Sequence, residues 1–596
     1  VRFPAFSNSH GWQWLRLIPL RNSSNWTSDN AATRWRNMRP LPNVAVVGGR
    51  CAAYDRHNDV TVVFGKHPTR IYDLYTNTWT RPKPACEPAN RTYGSMVYDA
   101  GRRRFILFGR HYGNDPQTWV YDIHKNEWTP LKTDPHPPSN RTSPVMAYDG
   151  RDEVVLCVLR TAKDDGTLQT WLFDCRDDTW RRLEPAGQDL GASGNRNRLM
   201  LYLPEQDAFV FENRAKKQQQ IWTFRWRPKN RTPRPGLPAP GQLRAVMTAD
   251  RAARLSWEPV EGAAGYRLFR GVGQTPWQAA YAPIGPERIE GTTYTDEDLP
   301  RGRVHYYRVA ALDARGKAGD ESIPARTQPR VMDYAVVSVL GADRVEISWE
   351  KHPAEDVVGY NVYRADVEAL TADQCRRTTT HEDLQARTGP APIGRVFAIG
   401  PFRRLNVEPI AEATRYLDEG VDLSRPREVG EDALLRLKFY SKPFKESKRF
   451  DKEAEPYRFG VYAYQVTAVN ALGVESGRSP WLLTVPGAVE GVFSREDGEK
   501  IHLKWEPRPE KNLRGYHVYR MNGRYVRKSK VSRLTDEPIR ATTFTDENGG
   551  KRGRRYFVVA VDALGQEGVP SSPVWSYREW RKYYKPFGAG VGTWHQ

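Results

Sequence analysis

Short apolar runs broken by polar turns fill this chain, and none approaches the roughly 18 apolar residues of a membrane helix. In the N-terminal part the runs keep step. Tyr54-Asp55, Tyr98-Asp99 and Tyr148-Asp149 each close an apolar strand, and a second short apolar strand follows, such as VTVVFG from Val60 or RFILFG from Arg104. Then an aromatic-Asp pair precedes a Trp: Tyr72-Asp73 and Trp79, Tyr121-Asp122 and Trp128, Phe173-Asp174 and Trp180. The spacing is 49 residues from Trp79 to Trp128 and 52 from Trp128 to Trp180. A degraded fourth copy reads LMLYLPEQDAFVFE, then QIWTFRW. Four short strands per unit of about 50 residues is the pattern of a propeller blade. The repeated Trp reads as a core wedge between neighbouring sheets, and the repeated Asp as a turn cap.

A second pattern occurs three times further on. An apolar strand ends in Trp-Glu at Trp257, Trp349 and Trp505. A G-Y-x-x-[F/Y]-R strand follows, ending at Arg270, Arg364 and Arg520. An aromatic strand then runs into Asp296, Asp418 and Asp546, and a Tyr-led strand starts at Tyr307, Tyr464 and Tyr556. Such an order of short strands around a buried Trp predicts a β-sandwich. The middle copy is longer, which places insertions near 365–410 and 420–457, the second containing the basic-aromatic run KFYSKPFKESKRFDK.

These residues carry two resemblances. Residues 35–226 resemble the kelch repeat in the F-G after the second strand, the Y-D and the spaced Trp, with the usual diglycine reduced to Gly65 and Gly109. Residues 242–577 are similar to three tandem fibronectin type III domains. The chain is therefore expected to be all-β: a partial or small kelch-like β-propeller of about four recognisable blades, plus three fibronectin type III β-sandwiches. The expected layout is propeller 1–227, Pro-rich linker 228–241, sandwiches 242–330, 331–486 and 487–577, and a basic-aromatic tail 578–596. Trp35 reads as the outer strand of an earlier blade, able to close the ring on the last copy as kelch propellers commonly do. Residues 1–34, with Trp12, Trp14 and Trp26, read as remnants of such a blade. The fibronectin resemblance implies a tyrosine corner at Tyr307, Tyr464 and Tyr556, each ring buried and each hydroxyl tied to backbone.

Composition adds less. The chain has 596 residues, 11% aromatic, with a formal net charge of +20. That field favours anionic partners. The basic residues are dispersed, which argues against nucleic acid. Five cysteines show no metal spacing; Cys157 and Cys175 fall on neighbouring strands of one repeat, where a disulfide and two buried thiols are equally open. Sequons begin at Asn22, Asn25, Asn90, Asn140 and Asn230. The chain opens on Val1 with no leader pattern, which reads as a mature terminus or the start of a fragment.

No catalytic apparatus is recognisable. Kelch propellers include the galactose oxidase family, whose copper site needs two His, two Tyr and a crosslinking Cys. Of His57, His67, His111, His124 and His136, only His111 neighbours a Tyr, and no Cys stands in a matching context. Glycosidases need two carboxylates at fixed separation, whereas Asp73, Asp122 and Asp174 repeat in every unit. Neither a metal nor a cofactor is expected. One set of residues points to binding. Arg91, Arg141 and Arg196 each begin the first strand of a blade, where three guanidiniums at one mouth would form an anion site. The reading is a non-catalytic secreted or cell-surface binding and scaffold protein, extracellular or periplasmic, with a propeller ligand face and the sandwiches as stalk. Its expected partners are a protein or an anionic polysaccharide. The alternative is a carbohydrate-active enzyme with a propeller active site.

Overall fold

The computed structural model describes residues 15–16, 36–38, 51–369, 391–393, 397–424, 427–429, 457–459 and 461–576, apart from 66–67, 90, 92–93, 110–116, 139–142, 161–166, 185, 188–189, 191–197, 216–217, 228–235, 523–530, 550–553, 569–570 and 572–573. Every regular element there is a β-strand, and the strands form small antiparallel sheets.

The first three repeats each fold as a four-stranded sheet in chain order. The strands are Cys51–Asp55, Val60–Phe64, Arg70–Asp73 and Thr78–Thr80; then Ser95–Asp99, Arg104–Phe108, Thr118–Asp122 and Glu127–Leu131; then Val145–Asp149, Val154–Arg160, Leu168–Asp174 and Thr179–Leu183. The fourth sheet holds Leu199–Leu203, Ala208–Ala215 and Gln218–Phe224. Successive sheets pack face to face, so the inner strands are apolar on both sides. In Val154–Arg160, Val155, Cys157 and Leu159 meet Val97 and Phe108 of the second sheet, while Val154, Leu156 and Val158 meet Phe209 and Phe211 of the fourth. The two-residue period of a strand assigns one side chain to each neighbour in turn.

Two devices repeat. The fourth-strand Trp is buried and reaches back to the preceding sheet: Trp128 Nε1 donates to Thr69 Oγ1 at 2.8 Å, and Trp180 Nε1 to Thr118 Oγ1 at 2.8 Å. The Asp of each aromatic-Asp pair caps its own turn. Asp55 Oδ1 accepts from His57 and Asn58 N–H, Asp122 Oδ1 from His124 and Lys125 N–H, and Asp149 Oδ1 from Arg151 and Asp152 N–H. The turns close on left-handed residues such as Asp59, Asn77 and Asn126, to which Tyr54, Tyr72 and Tyr121 donate their hydroxyls at 2.7, 2.8 and 3.0 Å. The repeating carboxylates are thus structural.

Three expectations change here. Cys157 lies opposite Met146 and Trp171, whereas the Cys175 N–H bonds the Glu153 carbonyl. Register holds the two apart, and both are free, buried thiols. The Trp35 segment does sit beside the first sheet as an outer strand would: Asn77 Nδ2 donates to the Met38 carbonyl at 2.7 Å, as Asn126 Nδ2 does to the Pro82 carbonyl at 2.7 Å, each carbonyl three residues past a Trp. It does not close a ring among the described residues. Arg36–Asn37 pairs with Leu15–Arg16, and no fourth strand lies beside Gln218–Phe224.

Each C-terminal pattern folds as two sheets around one core. The first pairs Arg244–Met247, Ala253–Ser256 and Thr293–Asp296 against Gly265–Val272, Ala280–Ile289, His305–Leu312, Ala318–Glu321 and Ala325–Arg326. The second sets Ala335–Val339, Val345–Trp349 and Arg415–Asp418 against Val357–Ala369, Tyr462–Asn470 and Leu482–Leu483. The third sets Phe493–Asp497, Lys500–Lys504 and Thr543–Asp546 against Gly515–Asn522, Val531–Arg533, Arg554–Val561 and Val574–Ser576. The buried Trp meets the strand Tyr at ring centroids of 5.5, 5.3 and 5.6 Å in the pairs Trp257–Tyr266, Trp349–Tyr360 and Trp505–Tyr516.

The corner tyrosines depart from expectation. Tyr307, Tyr464 and Tyr556 are buried, but their hydroxyls donate to carboxylates rather than to backbone: Asp296 at 2.6 Å, Asp418 at 2.8 Å and Asp546 at 2.7 Å. Arg270, Arg364 and Arg520 hold both oxygens of the same Asp. A charged acceptor makes a stronger bond than a peptide carbonyl, and the aromatic strand ends where that Asp comes level with the Tyr. Burial and then the carboxylate push all three hydroxyls up, so they remain donors.

The insertions of the middle sandwich grow from its sheets. Val357–Ala369 runs on past the sandwich and pairs with Phe397–Ile399, and Arg427–Val429 pairs with Tyr457–Phe459. The run KFYSKPFKESKRFDK, the five sequons and the tail 578–596 lie outside the described residues.

Two outcomes follow from these devices. Thr118→Val leaves the Trp180 N–H buried without its acceptor, and urea unfolding is expected to lose about 1–3 kcal/mol. Asp562 caps a hairpin through Leu564 and Gln566 N–H, and burial pushes its carboxyl up to about 6. The folded state therefore binds that proton more tightly than the unfolded chain, and wild-type stability falls as pH rises from about 4 to 6. Asn470 fills the same place in the second sandwich, its Oδ1 accepting from Val474 N–H. Asp562→Asn is expected to stabilise the protein by up to about 3 kcal/mol at pH 7, with the gain gone near pH 4 in parallel melts.

Candidate functional site

Antiparallel order gives each repeat sheet two unlike ends. The first-to-second and third-to-fourth turns, capped by Asp, lie at one end. The second-to-third loops and the crossings between sheets lie at the other, and the three predicted arginines belong to those crossings.

The turn end is occupied by the sandwiches. Arg326 Nη1 pairs with Asp73 Oδ2 at 2.6 Å, both side chains buried. Arg308 Nη2 donates to the His57 carbonyl at 2.8 Å and to Asn58 Oδ1 at 3.0 Å. Tyr75 lies under the Arg326 guanidinium at 4.5 Å, donates to the Gln328 carbonyl at 2.7 Å and accepts Val331 N–H at 2.9 Å. Burial pushes the Tyr75 hydroxyl up to about 12, with Arg326 and Arg330 opposing. Trp277 of the first sandwich enters the core between the first two sheets, where His124 Nδ1 bonds its carbonyl at 2.7 Å. The second sandwich joins the same junction. Asn470 Nδ2 donates to the Thr327 carbonyl at 2.7 Å, Leu472 and Val474 fill the first sandwich's core, and a Cβ on Gly477 would lie 2.1 Å from the Thr76 carbonyl oxygen. The first two sandwiches are thus clasped to the first sheet and do not form the free stalk expected of them.

The loop end carries the predicted arginines. Arg91 is 0% exposed; its N–H bonds the Gly65 carbonyl at 3.1 Å, and its carbonyl accepts from Gly94 N–H and from Cys51 Sγ. Arg141 and Arg196 lie outside the described residues, so nothing here brings the three together. The structure adds two buried arginines at the same end, Arg70 and Arg198, 2% and 4% exposed. Arg198 Nη2 donates to the Ser143 carbonyl, which links the third and fourth sheets. Burial, then Arg81, lowers Arg70 to about 10 against an opposing pull from Glu87. The sequence carried a signal for Arg70, because it stands where the sister sheets have Trp119 and Trp171. Among the described residues no group of three or more His, Cys, Asp and Glu could hold a metal ion. Burial pushes the Cys157 and Cys175 thiols up, so they are inert as nucleophiles.

With this geometry in place, comparison with known proteins gives the following. No family model matches the chain, and no curated protein does. Among solved structures the chain is similar to an Fn3-like protein from Clostridium thermocellum, at 28% identity and a TM-score of 0.14, over 15% of this chain and 92% of that one. It is also similar to the chicken CNTN1 FN1-FN3 domains, at 15% identity and a TM-score of 0.17, over 57% of this chain and 99% of that one. Among the described residues no helix is long and apolar enough to cross a membrane.

The clasp yields a direct test. Removing one partner of a buried ion pair strands the other, so Arg326→Met and Asp73→Asn are each expected to cost about 3–5 kcal/mol. Hydrogen exchange would show the loss at residues 55–59 and 73–77 before the distant third sandwich.

Proposed function

We propose that this chain is a non-catalytic binding and scaffold protein of an extracellular, periplasmic or cell-surface setting. In this reading the four repeat sheets belong to a kelch-like β-propeller, and the three sandwiches are fibronectin type III-like modules that carry it. The observation that carries the proposal is the clasp at the turn end. It commits that end to the sandwiches and leaves the loop end, with its buried Arg70, Arg91 and Arg198, as the face open to a ligand. Buried guanidiniums at the mouth of loops favour an anionic ligand, and a net charge of +20 draws one in. The ligand class is an acidic polysaccharide or an acidic protein surface. Loops on a rigid scaffold are where binding residues concentrate.

The test is binding of the intact protein to immobilised uronate-containing and sulfated polysaccharides across a salt series. Binding that weakens from 50 to 500 mM salt as screening grows, and that falls about tenfold in Arg141→Ala and Arg196→Ala, is the expected result. Arg91 is left intact because its burial ties it to the fold. Binding that ignores both salt and these substitutions would overturn the proposal.

A further inference from the structure

The rim between the third and fourth sheets holds polar side chains that the fold does not use. Ser143 precedes Val145 by two residues, and Val145 pairs with Val158, so continuing that register sets Ser143 level with Arg160. Arg198 precedes Leu199, which pairs with Glu212, so Arg198 comes level with Asn213. The bond from Arg198 Nη2 to the Ser143 carbonyl joins the two pairs. Two guanidiniums, a hydroxyl and an amide are thereby brought to one rim at the loop end.

Ser143 is 2% exposed and Asn213 is 0% exposed. Even so, Ser143 Oγ, Asn213 Oδ1 and Arg160 Nε have no hydrogen-bond partner among the described residues. Buried polar atoms in native proteins are nearly always bonded, and each exception calls for a reason. Turning the Asn213 amide over gives no relief, because its Nδ2 already donates to the Leu190 carbonyl at 3.4 Å. Ser143 also holds a φ of 44°, a left-handed conformation that side-chain-bearing residues adopt under strain.

The unfilled atoms differ in what they require. Arg160 Nε–H is a donor and, with the Arg198 charge, suits an oxyanion. Asn213 Oδ1 is an acceptor and needs an O–H or N–H. Sulfate at neutral pH offers only acceptors and leaves Asn213 unmet. A sugar acid offers both kinds of group on one rigid ring. We propose that this rim binds a uronate unit of an acidic polysaccharide. Its carboxylate lies toward Arg160 and Arg198, a ring hydroxyl donates to Asn213 Oδ1, and Ser143 Oγ bonds between them. The inference rests on the loop end being the ligand face and names the chemistry that this face selects.

Calorimetric titration of the intact protein with trigalacturonate, its methyl ester and sodium sulfate tests it. Trigalacturonate is expected to bind, with the ester and sulfate weaker by about tenfold or more. Arg160→Gln and Asn213→Ala are expected to weaken it by about tenfold, and Ser143→Ala by a smaller factor. Ser143→Ala removes an unbonded buried hydroxyl, so its Tm should hold or rise, which separates a binding loss from a folding loss. Sulfate binding as tightly as trigalacturonate overturns the inference. So does unchanged affinity in the three variants while Arg141→Ala and Arg196→Ala weaken binding, an outcome that leaves the broader function standing. If the wild type binds no acidic saccharide or acidic protein at all, both fall.

Discussion

Arg326 and Asp73 form an ion pair taken out of water, and much of the architecture has to be right for it to persist. Desolvating two charges is expensive, and their attraction offsets that only when the remaining donors and acceptors are also met. Here they are met on both sides. Asp73 gives Oδ2 to Arg326 and Oδ1 to the Tyr75 N–H that closes its own turn. The guanidinium lies over the Tyr75 ring, whose hydroxyl and carbonyl bond the segment just beyond Arg326. Burial lowers the Arg326 basicity, and the Asp73 charge more than restores it, so the pair stays ionised. The position of the first sandwich, and through Asn470 and Leu472 that of the second, follows from this contact.

The clasp uses a part that the repeats already contain. Asp122 and Asp174 make the same turn cap as Asp73 but remain half-buried with no sandwich arginine upon them. What differs is the second oxygen, left to water in those sheets and given to Arg326 in the first. The sandwiches run a similar economy internally. An Arg, an Asp and a Tyr from three strands lock together in each of them, and the Asp again accepts from both partners. A carboxylate has room for several donors, which lets one residue close a local motif and still bind something distant.

This explains which parts of the molecule were legible in the sequence. The sheets and sandwiches were legible because each repeated side chain serves its own unit, so the pattern returns at fixed spacing. The Trp wedge, the capping Asp and the Arg, Asp and Tyr positions all belong to that class. The tyrosine corner was placed on the right residues, but its acceptor was not foreseen, because spacing alone does not say which strand end comes level with Tyr307. The clasp was invisible for a stronger reason. Arg326 and Asp73 are 253 residues apart, and neither departs from a plausible local role. At the loop end, Arg91 was found because it repeats. Arg70 was legible only as a break in the repeat, and Asn213 carries no pattern at all.

The two ends of the sheets also differ in what they are able to become. Turns at the docked end are fixed by an Asp cap and a left-handed residue, as at Asp55 with Asp59 and Asp122 with Asn126. Little can be inserted there without losing the cap, which makes that end a dependable surface for a rigid partner within the same chain. Connections at the other end run from Gly65 to Thr69, Gly109 to Gln117 and Glu184 to Asn197, and they are not bound by such a rule. Loops of this kind tolerate change in length and composition. A scaffold that places its constant turns against its own sandwiches and its variable loops outward keeps its shape while its ligand face is free to diverge. That division holds whichever ligand the loop end takes.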